Sequence, residues 1–203
     1  MKNRQNVVRG YGPLDVFLAK QRHKIAQKKI RYADKTGRIL DVGCGNYPLF
    51  LLNVNFSQKY GLDKISQDNP DENITKQGIT LINSNFEETG KFPFEDDYFD
   101  VVTMLAVFEH IIPENLVKVH KEIYRVLKRG GIYIMTTPAF WTDHLLRILA
   151  KLRLISDIEI KEHKGYYSHS MISSVLQAAD FQKNNMRFGY FELFMNTWAT
   201  AVK

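Results

Sequence analysis

The sequence predicts an α/β fold in which a doubly wound, mainly parallel sheet carries helices on both faces. Ile39 to Val42 form a β-favouring run that stops at a glycine pair, and Pro48 then suits the first turn of a helix. About twenty residues further on, a second short run ends in Asp63, as the second strand of such a sheet does. Phe99 to Leu105 is an almost continuous apolar run, which is typical of a central strand buried on both faces.

The other predicted elements continue this alternation of strand and helix. They are a cap helix from residue 13 to about 33, strands at 78–82 and 132–137, helices at 114–127, 140–154 and 170–179, and final strands at 181–188 and 192–202. Gly130 and Gly131 stop the helix at 114–127, and His120 on that helix is assigned to surface or edge packing. Gly189 is predicted to join the last two strands. The stretch 139–169 is longer than one crossover needs, so we interpret it as an insertion.

The cap helix is predicted to pack through one apolar face. That face consists of Leu14, Phe17, Leu18, Gln21, Ile25 and Tyr32. Such a helix can cover the ligand-binding end of the sheet, where Tyr11 or Phe17 would touch a bound molecule.

Composition predicts one globular domain over residues 1–203. The chain is 44% hydrophobic and 25% charged, has no apolar run long enough to cross a bilayer, and begins without the apolar core of a signal peptide. We therefore expect a cytoplasmic protein. Cys44 is the only cysteine, which excludes an intrachain disulfide and a cysteine-based zinc cluster, and we predict no metal site.

The net charge of +6 is unevenly placed along the chain. Residues 1–38 hold eleven Lys and Arg against two acids, a net +9, whereas the remainder holds 17 basic against 20 acidic residues, a net −3. The simplest interpretation is a solvated helix face. A basic helix that contacts an anionic membrane surface and a nucleic-acid contact remain alternatives.

Two acids predict the chemistry of the ligand. Asp41 ends the first strand beside the glycine turn, where it attracts an ammonium or sulfonium and repels an anion. Asp63 ends the second strand, where a carboxylate accepts hydrogen bonds from a ribose diol. A dinucleotide site would want a third glycine at position 48, which is Pro48. The pattern therefore favours a nucleoside with a cationic tail.

Four stretches in order resemble class I S-adenosylmethionine-dependent methyltransferases, in particular the small-molecule branch that includes quinone-biosynthesis enzymes. They are Asp41-Val-Gly-Cys-Gly-Asn46 with Gly61-Leu-Asp63, Phe92 to Val102, Phe108-Glu-His-Ile111, and Glu122 to Tyr133. The resemblance covers Gly37 to about Pro138 and implies a Rossmann-like sheet of seven strands whose last strand is antiparallel. It implies S-adenosylmethionine as the methyl donor.

The resemblance also implies which residues bind the donor. They are Asp41, Gly43, Cys44, Gly45, Asp63, Lys64, Asn85, Phe86 and Leu105. An Asn85 amide can pair with the adenine amine and the Phe86 ring can pack on the base, although an Asx turn beside a core phenylalanine explains both residues as well. Tyr47 stands where many members carry a third glycine, so it either crowds the methionine end of the donor or closes the roof of the pocket.

Two histidines are candidates for catalysis. Glu109-His110 follows the central strand at the crevice, and we predict that it borders the methyl-transfer centre, with structural packing as the alternative. The insertion 139–169 starts at the same end of the sheet, so we predict an acceptor-binding lid. Its His163, near Tyr166 and Tyr167, is the candidate base, and the alternative is that it caps or packs the following helix.

The acceptor itself is not encoded in a recognisable motif. We predict a small molecule, such as an anionic glycan, lipid or quinone-type metabolite. A nucleic-acid methyltransferase is the enzymatic alternative, although the chain has no Asn/Asp-Pro-Pro-aromatic motif. A non-catalytic donor-binding protein is the other alternative, which Tyr47 makes conceivable.

Overall fold

The protein is described from a computed structural model, and the described residues are 14–30, 36–65, 72–142, 146, 151, 152, 154 and 162–203. In this part of the chain a single sheet has seven strands. They are Arg38–Val42 (β1), Gln58–Asp63 (β2), Ile79–Asn83 (β3), Phe99–Leu105 (β4), Leu127–Pro138 (β5), Met186–Phe191 (β6) and Asn196–Val202 (β7). The helices are Asp15–Ile30 (α1), Leu49–Leu52 (α2), Glu72–Lys76 (α3), Phe86–Thr89 (α4), Pro113–Val126 (α5) and His169–Ala178 (α6), and 3₁₀ turns span Phe108–His110 and Lys183–Asn185.

The strand order is β3-β2-β1-β4-β5-β7-β6. Strands β1 to β5 pair in parallel, and β7 runs antiparallel to both β5 and β6. The predicted seven-stranded, mainly parallel sheet with an antiparallel last strand is confirmed. Because β1 and β4 lie side by side at its centre and their connections leave in opposite directions, a ligand crevice is expected at their carboxyl ends.

Helices cover both faces of the sheet. One face packs Leu40, Val102 and Tyr133 under α5 and α6, and the other packs Ile39, Val101 and Ile134 under α1 and α2. A strand that is buried on both faces has a continuous apolar sequence. For this reason the predicted bounds of β4 agree with the observed ones. Among the described residues, no helix combines the length and apolarity that crossing a membrane requires.

The predicted buried face of α1 is wrong. Asp15, Ala19, Ala26 and Ile30 are the buried residues of this helix, whereas Phe17 is 52% exposed. Small alanines let the helix approach the sheet closely, so the seam runs through them and not through the large apolar side chains. Tyr11 and Tyr32 lie outside the described residues.

His120 is not at the surface or an edge, as predicted, but fully buried. Its Nδ1 lies 2.7 Å from the Leu116 carbonyl oxygen and its Nε2 lies 3.0 Å from the Tyr133 hydroxyl. Nδ1–H therefore donates to the carbonyl, and the Tyr133 hydroxyl donates to Nε2. Burial lowers the pKa of His120 to about 4, so it is a neutral core residue that joins α5 to β5.

Two strand boundaries also differ from the prediction. β5 begins at Leu127, directly after α5, and the ladder to β4 skips from Leu127 to Ile132, so Gly130 with its φ of 77° sits in an irregular stretch of β5 and does not stop a helix. The hairpin between β6 and β7 turns at residues 192–195 and not at Gly189. Gly189 lies within β6, where a Cβ would come within 2.6 Å of the Trp198 ring.

Trp198 is held between two elements. Gly189 leaves room for its ring on the β6 side, and the Lys29 ammonium of α1 lies 3.2 Å from the ring centroid. This cation–π contact fixes the C-terminal part of α1 against the antiparallel edge of the sheet. The predicted helix at 140–154 falls mostly outside the described residues, and Phe140 and Trp141 lie in a turn.

Candidate active site

A glycine turn follows β1 at the carboxyl end of the sheet. Gly43 and Gly45 have φ angles of 77° and 71°, in the left-handed region that favours glycine. A Cβ on Gly43 would come within 2.3 Å of the Val107 side chain, whereas a Cβ on Gly45 would meet no described atom within 4 Å. Gly43 therefore packs against the chain after β4, and Gly45 leaves its backbone accessible to a ligand.

Asp63 ends β2 directly beside this turn. Its Oδ2 accepts a hydrogen bond of 2.6 Å from the Gly45 amide, and its Oδ1 accepts one of 2.6 Å from the Lys64 amide. The Lys64 side chain is exposed, so its backbone is what touches the acid. The two amides orient the carboxylate at the strand end.

Asp41 lies deeper, at the centre of the sheet. Its Oδ1 accepts a hydrogen bond of 2.6 Å from the Thr103 hydroxyl of the neighbouring strand β4. Burial raises the pKa of Asp41 to about 7, opposed by the Thr103 hydrogen bond and reinforced by the negative Asp63. Near neutral pH this carboxyl is thus poised between its neutral and its ionised form, and a nearby cation would favour the ionised form. Asp41, Gly43, Gly45 and Asp63 are called the glycine-turn side below.

Two predicted donor residues, Cys44 and Leu105, turn their side chains into the protein, and so does Tyr47. The Cys44 thiol lies against Gly61, where a Cβ would come within 2.6 Å of its sulfur. Leu105 and Tyr47 are both partly buried against the apolar cluster under α1 and α2. Cys44 can therefore offer a ligand its backbone, and Tyr47 has apolar packing partners in the fold.

Asn85 and Phe86 follow β3 at the same end of the sheet. Asn85 precedes α4 without capping it through its side chain, so its amide is not engaged there. Phe86 belongs to the main core, where its ring packs edge-on against Phe92 at 5.8 Å. Its ring therefore presents little surface to an adenine, and its contact with the donor stays a prediction.

Glu109 and His110 form a 3₁₀ turn just beyond β4. The chain reverses at Ala106, whose φ of 56° is unusual for a residue with a Cβ, and the Ala106 amide donates to the Thr136 carbonyl oxygen at 3.0 Å. Glu109 is only 1% exposed, and this burial raises its pKa, although the charge of the neighbouring His110 opposes the rise. Gly43 packs on Val107, so this turn adjoins the glycine-turn side.

The second half of the insertion returns to this turn. The Lys164 amide donates a 2.7 Å hydrogen bond to the Glu109 carbonyl oxygen. The His163 ring lies edge-on against the His110 ring, with 5.0 Å between the centroids, and its Nδ1 is 3.2 Å from the Tyr166 hydroxyl. The two histidines predicted from separate motifs are therefore brought into contact. Residues 143–145, 147–150, 153 and 155–161 of the predicted lid lie outside the described residues.

Buried polar atoms gather around the two histidines. Within the described part of the chain, Glu109 Oε2, His110 Nδ1, Thr137 Oγ1 and Tyr167 Oη are buried without a partner at hydrogen-bond distance. Tyr167 packs edge-on against Phe108 at 4.8 Å and bridges Ala139 at the start of the insertion. Glu109, His110, Thr137, His163 and Tyr167 are called the histidine side below.

Sequence reasoning missed several members of this group. Thr137 was read only as a strand residue, Arg22 only as part of a basic helix face, and Glu192 only as the start of a strand. The positive charge of Arg22 on α1 opposes the rise that burial causes in the pKa of both Glu109 and Glu192. No local sequence pattern identifies such residues, because they become neighbours only when three segments that are distant in the sequence pack together.

The core of the chain, residues 40–135, matches a family model described as a methyltransferase domain. This span contains the glycine turn, both acids and the Glu109-His110 turn. Residues 40–135 are therefore a methyltransferase domain of the class I type. The predicted family is confirmed.

Curated relatives of the chain align with about half of it. An uncharacterised methyltransferase of Schizosaccharomyces pombe is 32% identical over 114 residues, which are 50% of this chain and 40% of that protein. A sterol 4-C-methyltransferase of Caenorhabditis elegans is 34% identical over 103 residues, 47% of this chain and 29% of that protein. The chain thus spans well under two thirds of the length of these relatives.

The fold has solved counterparts at low sequence identity. A phosphoethanolamine N-methyltransferase of Haemonchus contortus in complex with S-adenosyl-L-methionine superimposes with a TM-score of 0.65 at 15% identity, covering 95% of this chain and 57% of that one. At this identity the likeness concerns the sheet and its helices. The sterol and phosphoethanolamine enzymes act on unrelated acceptors, so the family does not define the acceptor of this methyltransferase.

Proposed function

We propose that the protein transfers a methyl group from S-adenosylmethionine to a small molecule through a polar acceptor atom. The observation that carries the proposal is the position of Asp41 on β1 and of Asp63 at the end of the adjacent β2. Between them lies a glycine turn in which no described atom comes within 4 Å of a Cβ built on Gly45. The cationic tail of S-adenosylmethionine would be attracted by Asp41, and its ribose diol would donate hydrogen bonds to Asp63.

The glycine-turn side fits the donor in shape and charge. Asp63 is oriented by the Gly45 and Lys64 amides and would accept hydrogen bonds from the ribose hydroxyls. Asp41 would face the cationic part, and the cation would favour its ionised form. Tyr47 has apolar packing partners under α1, which supports a donor site that it does not fill.

When bound, the donor supplies a sulfonium-activated methyl group, whose carbon–sulfur bond breaks as the acceptor atom forms its bond to that carbon. The protein needs no covalent residue for this displacement. Its contribution is to align the acceptor and exclude water, and alignment alone can lower a barrier by roughly 7–11 kcal/mol.

The histidine side is proposed as the acceptor site. Its buried Thr137 and Tyr167 hydroxyls lack partners among the described residues, so an acceptor with polar groups would satisfy them. The contact between His110 and His163 supports the proposal that both border the transfer centre. For a hydroxyl acceptor, His163 would take the proton as the acceptor oxygen attacks, and the insertion 139–169 would close over the pair as a lid.

A titration and a turnover assay test this function together. We expect S-adenosylmethionine to bind the full chain in calorimetry, and we expect a panel of small hydroxyl, phenol and amine acceptors to include at least one that is methylated. Donor binding without turnover on any acceptor would favour a non-catalytic binding protein. Absence of donor binding would refute the proposal.

A nucleic-acid acceptor remains the second candidate, because Lys20, Lys24 and Lys28 line the exposed surface of α1. Neutralising several phosphates makes binding steeply dependent on salt. RNA or DNA that binds tightly at low salt, loses affinity as salt rises and becomes methylated would replace the small molecule as acceptor. Anionic vesicles in the same assay test the alternative that α1 contacts a membrane surface.

A further inference from the structure

Three side chains of the kind that bind metals meet on the histidine side. Glu109, His110 and His163 each offer one ligand atom, a carboxylate oxygen or an imidazole nitrogen, and these atoms all lie within 4.8 Å of one another. Ligand atoms around a tetrahedral zinc ion with bonds of about 2.1 Å stand about 3.4 Å apart. A small inward rotation of the side chains would therefore complete a three-residue site.

Two of these residues hold buried polar atoms that need a partner. Glu109 Oε2 and His110 Nδ1 are both buried, and neither has a hydrogen-bond partner in the described part of the chain. Such atoms are uncommon in native proteins, because leaving them unpaired costs free energy that a bound cation would recover. A buried carboxylate oxygen without a partner is thus an observation, separate from the ligand spacing, that favours a bound cation.

The third residue is positioned by contacts of its own. The hydrogen bond from the Lys164 amide to the Glu109 carbonyl oxygen fixes the backbone beside His163. His163 Nδ1 lies 3.2 Å from the Tyr166 hydroxyl, and in the tautomer in which Nδ1 donates to that oxygen, Nε2 carries the lone pair that a metal binds. Histidine ligands of metals are commonly oriented by such a second hydrogen bond.

We propose that Glu109, His110 and His163 bind one divalent transition-metal ion of the zinc type. Two imidazoles and one carboxylate are a ligand set that zinc uses in catalytic sites, where a fourth position stays open for water or substrate. Arg22 is the opposing charge, since it acts on Glu109, but it also faces Glu192.

This inference deepens the proposed function, on which the role of the ion rests, whereas the site itself rests on the geometry. An acceptor hydroxyl in the open position would lose its proton to water more easily, because the ion stabilises the alkoxide. The oxygen lone pair would then form the bond to the methyl carbon, and the electron pair of the breaking carbon–sulfur bond would stay on sulfur. With the ion bound, His163 would assist loss of the acceptor proton by holding the ion, and without the ion it would take that proton directly.

The test is a calorimetric titration of the chelator-treated full chain with Zn²⁺ near neutral pH. We expect one ion per chain, and we expect Glu109→Gln and His163→Ala each to weaken binding by about 100-fold or more, since each removes a direct ligand. His169→Ala is the matched control, because His169 belongs to the same segment but stacks on Tyr190 at 4.4 Å. It should bind Zn²⁺ as the wild type does.

A second probe covers variants that fold poorly. Co²⁺ bound to the wild type should give visible absorption bands that His163→Ala loses. No Zn²⁺ binding to the wild type, equal binding by all variants, or an equal loss in His169→Ala would each overturn the site. A donor titration on the same samples separates the two proposals: donor binding without Zn²⁺ binding sinks only the metal site, and Zn²⁺ binding without donor binding sinks only the methyl transfer.

Discussion

On the glycine-turn side the acids have hydrogen-bond partners, whereas on the histidine side one buried carboxylate oxygen lacks a partner among the described residues. Asp63 accepts two backbone hydrogen bonds and Asp41 accepts one from Thr103. Glu109 keeps one buried oxygen without a partner among the described residues, and the Tyr167 hydroxyl does the same. The acids of the glycine-turn side therefore have hydrogen-bond partners in the protein itself. The histidine side holds polar atoms whose partners would have to come from a bound molecule.

The difference teaches how each side is built. The glycine-turn side comes from adjacent strand ends, so its geometry follows from the sheet and from two glycines. The histidine side comes from the turn after β4, the end of β5 and the returning insertion. A prearranged site suits a donor common to a family, and an unsatisfied site suits an acceptor that varies among its members.

The largest effect should come from the histidine side. We expect His163→Ala to lower turnover on a hydroxyl acceptor by about 10²–10⁴-fold, because proton removal in the transition state contributes that much. Donor affinity should stay unchanged, since Asp41 and Asp63 are untouched. His169→Ala serves as the control. Unaltered turnover and an unaltered pH profile across a pH series would show that His163 takes no part in catalysis.

Asp63 should give the largest effect on the glycine-turn side. Asp63→Asn keeps the size of the side chain but removes the charge that accepts from the ribose diol, so we expect a loss of donor affinity of about 10–100-fold, the cost of charge-assisted hydrogen bonds. Asp97→Asn is a control on an exposed acid, paired with Lys203 at 2.7 Å. Calorimetry that finds equal affinities for wild type and Asp63→Asn would remove Asp63 from the donor site.

Asp41 should make donor binding depend on pH. Its pKa of about 7 lies above its ordinary 3.8, so the folded protein holds a proton that the unfolded chain has lost, and stability falls as pH rises from 4 to 7. A cationic donor prefers the ionised form, so we expect wild-type affinity to rise by up to about tenfold between pH 6 and 8.

Asp41→Asn is the matched comparison. It should bind the donor more weakly at pH 8, lack the pH dependence that is specific to Asp41, and unfold with less dependence on pH. Titration of the donor amine affects wild type and variant alike, so it cancels in the comparison. Parallel pH curves for the two proteins would contradict the assignment.

The smallest effects compare one hydroxyl from each side. Thr103→Val removes the donor to Asp41, so we expect a loss of about 1–2 kcal/mol in the free energy of unfolding. Tyr167→Phe removes a buried hydroxyl that lacks a partner, so it should be neutral or slightly stabilising. Denaturant unfolding measures both variants. A loss in Tyr167→Phe as large as that in Thr103→Val would show that the two sides do not differ.

The sequence predicted the place of a residue in the fold wherever a local sequence pattern determines that place. Asp41, Gly43 and Asp63 were predictable because a strand that ends in a glycine turn can occupy only one place in a doubly wound sheet. His120 was misplaced because its burial depends on Tyr133, which lies on a different element. Thr137 and Arg22 joined the site without any signal, since only the packing of α1 and the insertion over β5 brings them there.

The position of Trp198 gives the protein an internal optical reporter. Its indole sits between Gly189 and the Lys29 ammonium, so its emission depends on whether α1 is seated on the sheet. Lifting the helix would remove the cation and admit water to the ring, which should shift the fluorescence to longer wavelength. Trp141, 46% exposed, supplies a solvent-exposed background that Trp141→Phe removes. Fluorescence of that variant would report how donor and acceptor change the docking of the helix, without any added label.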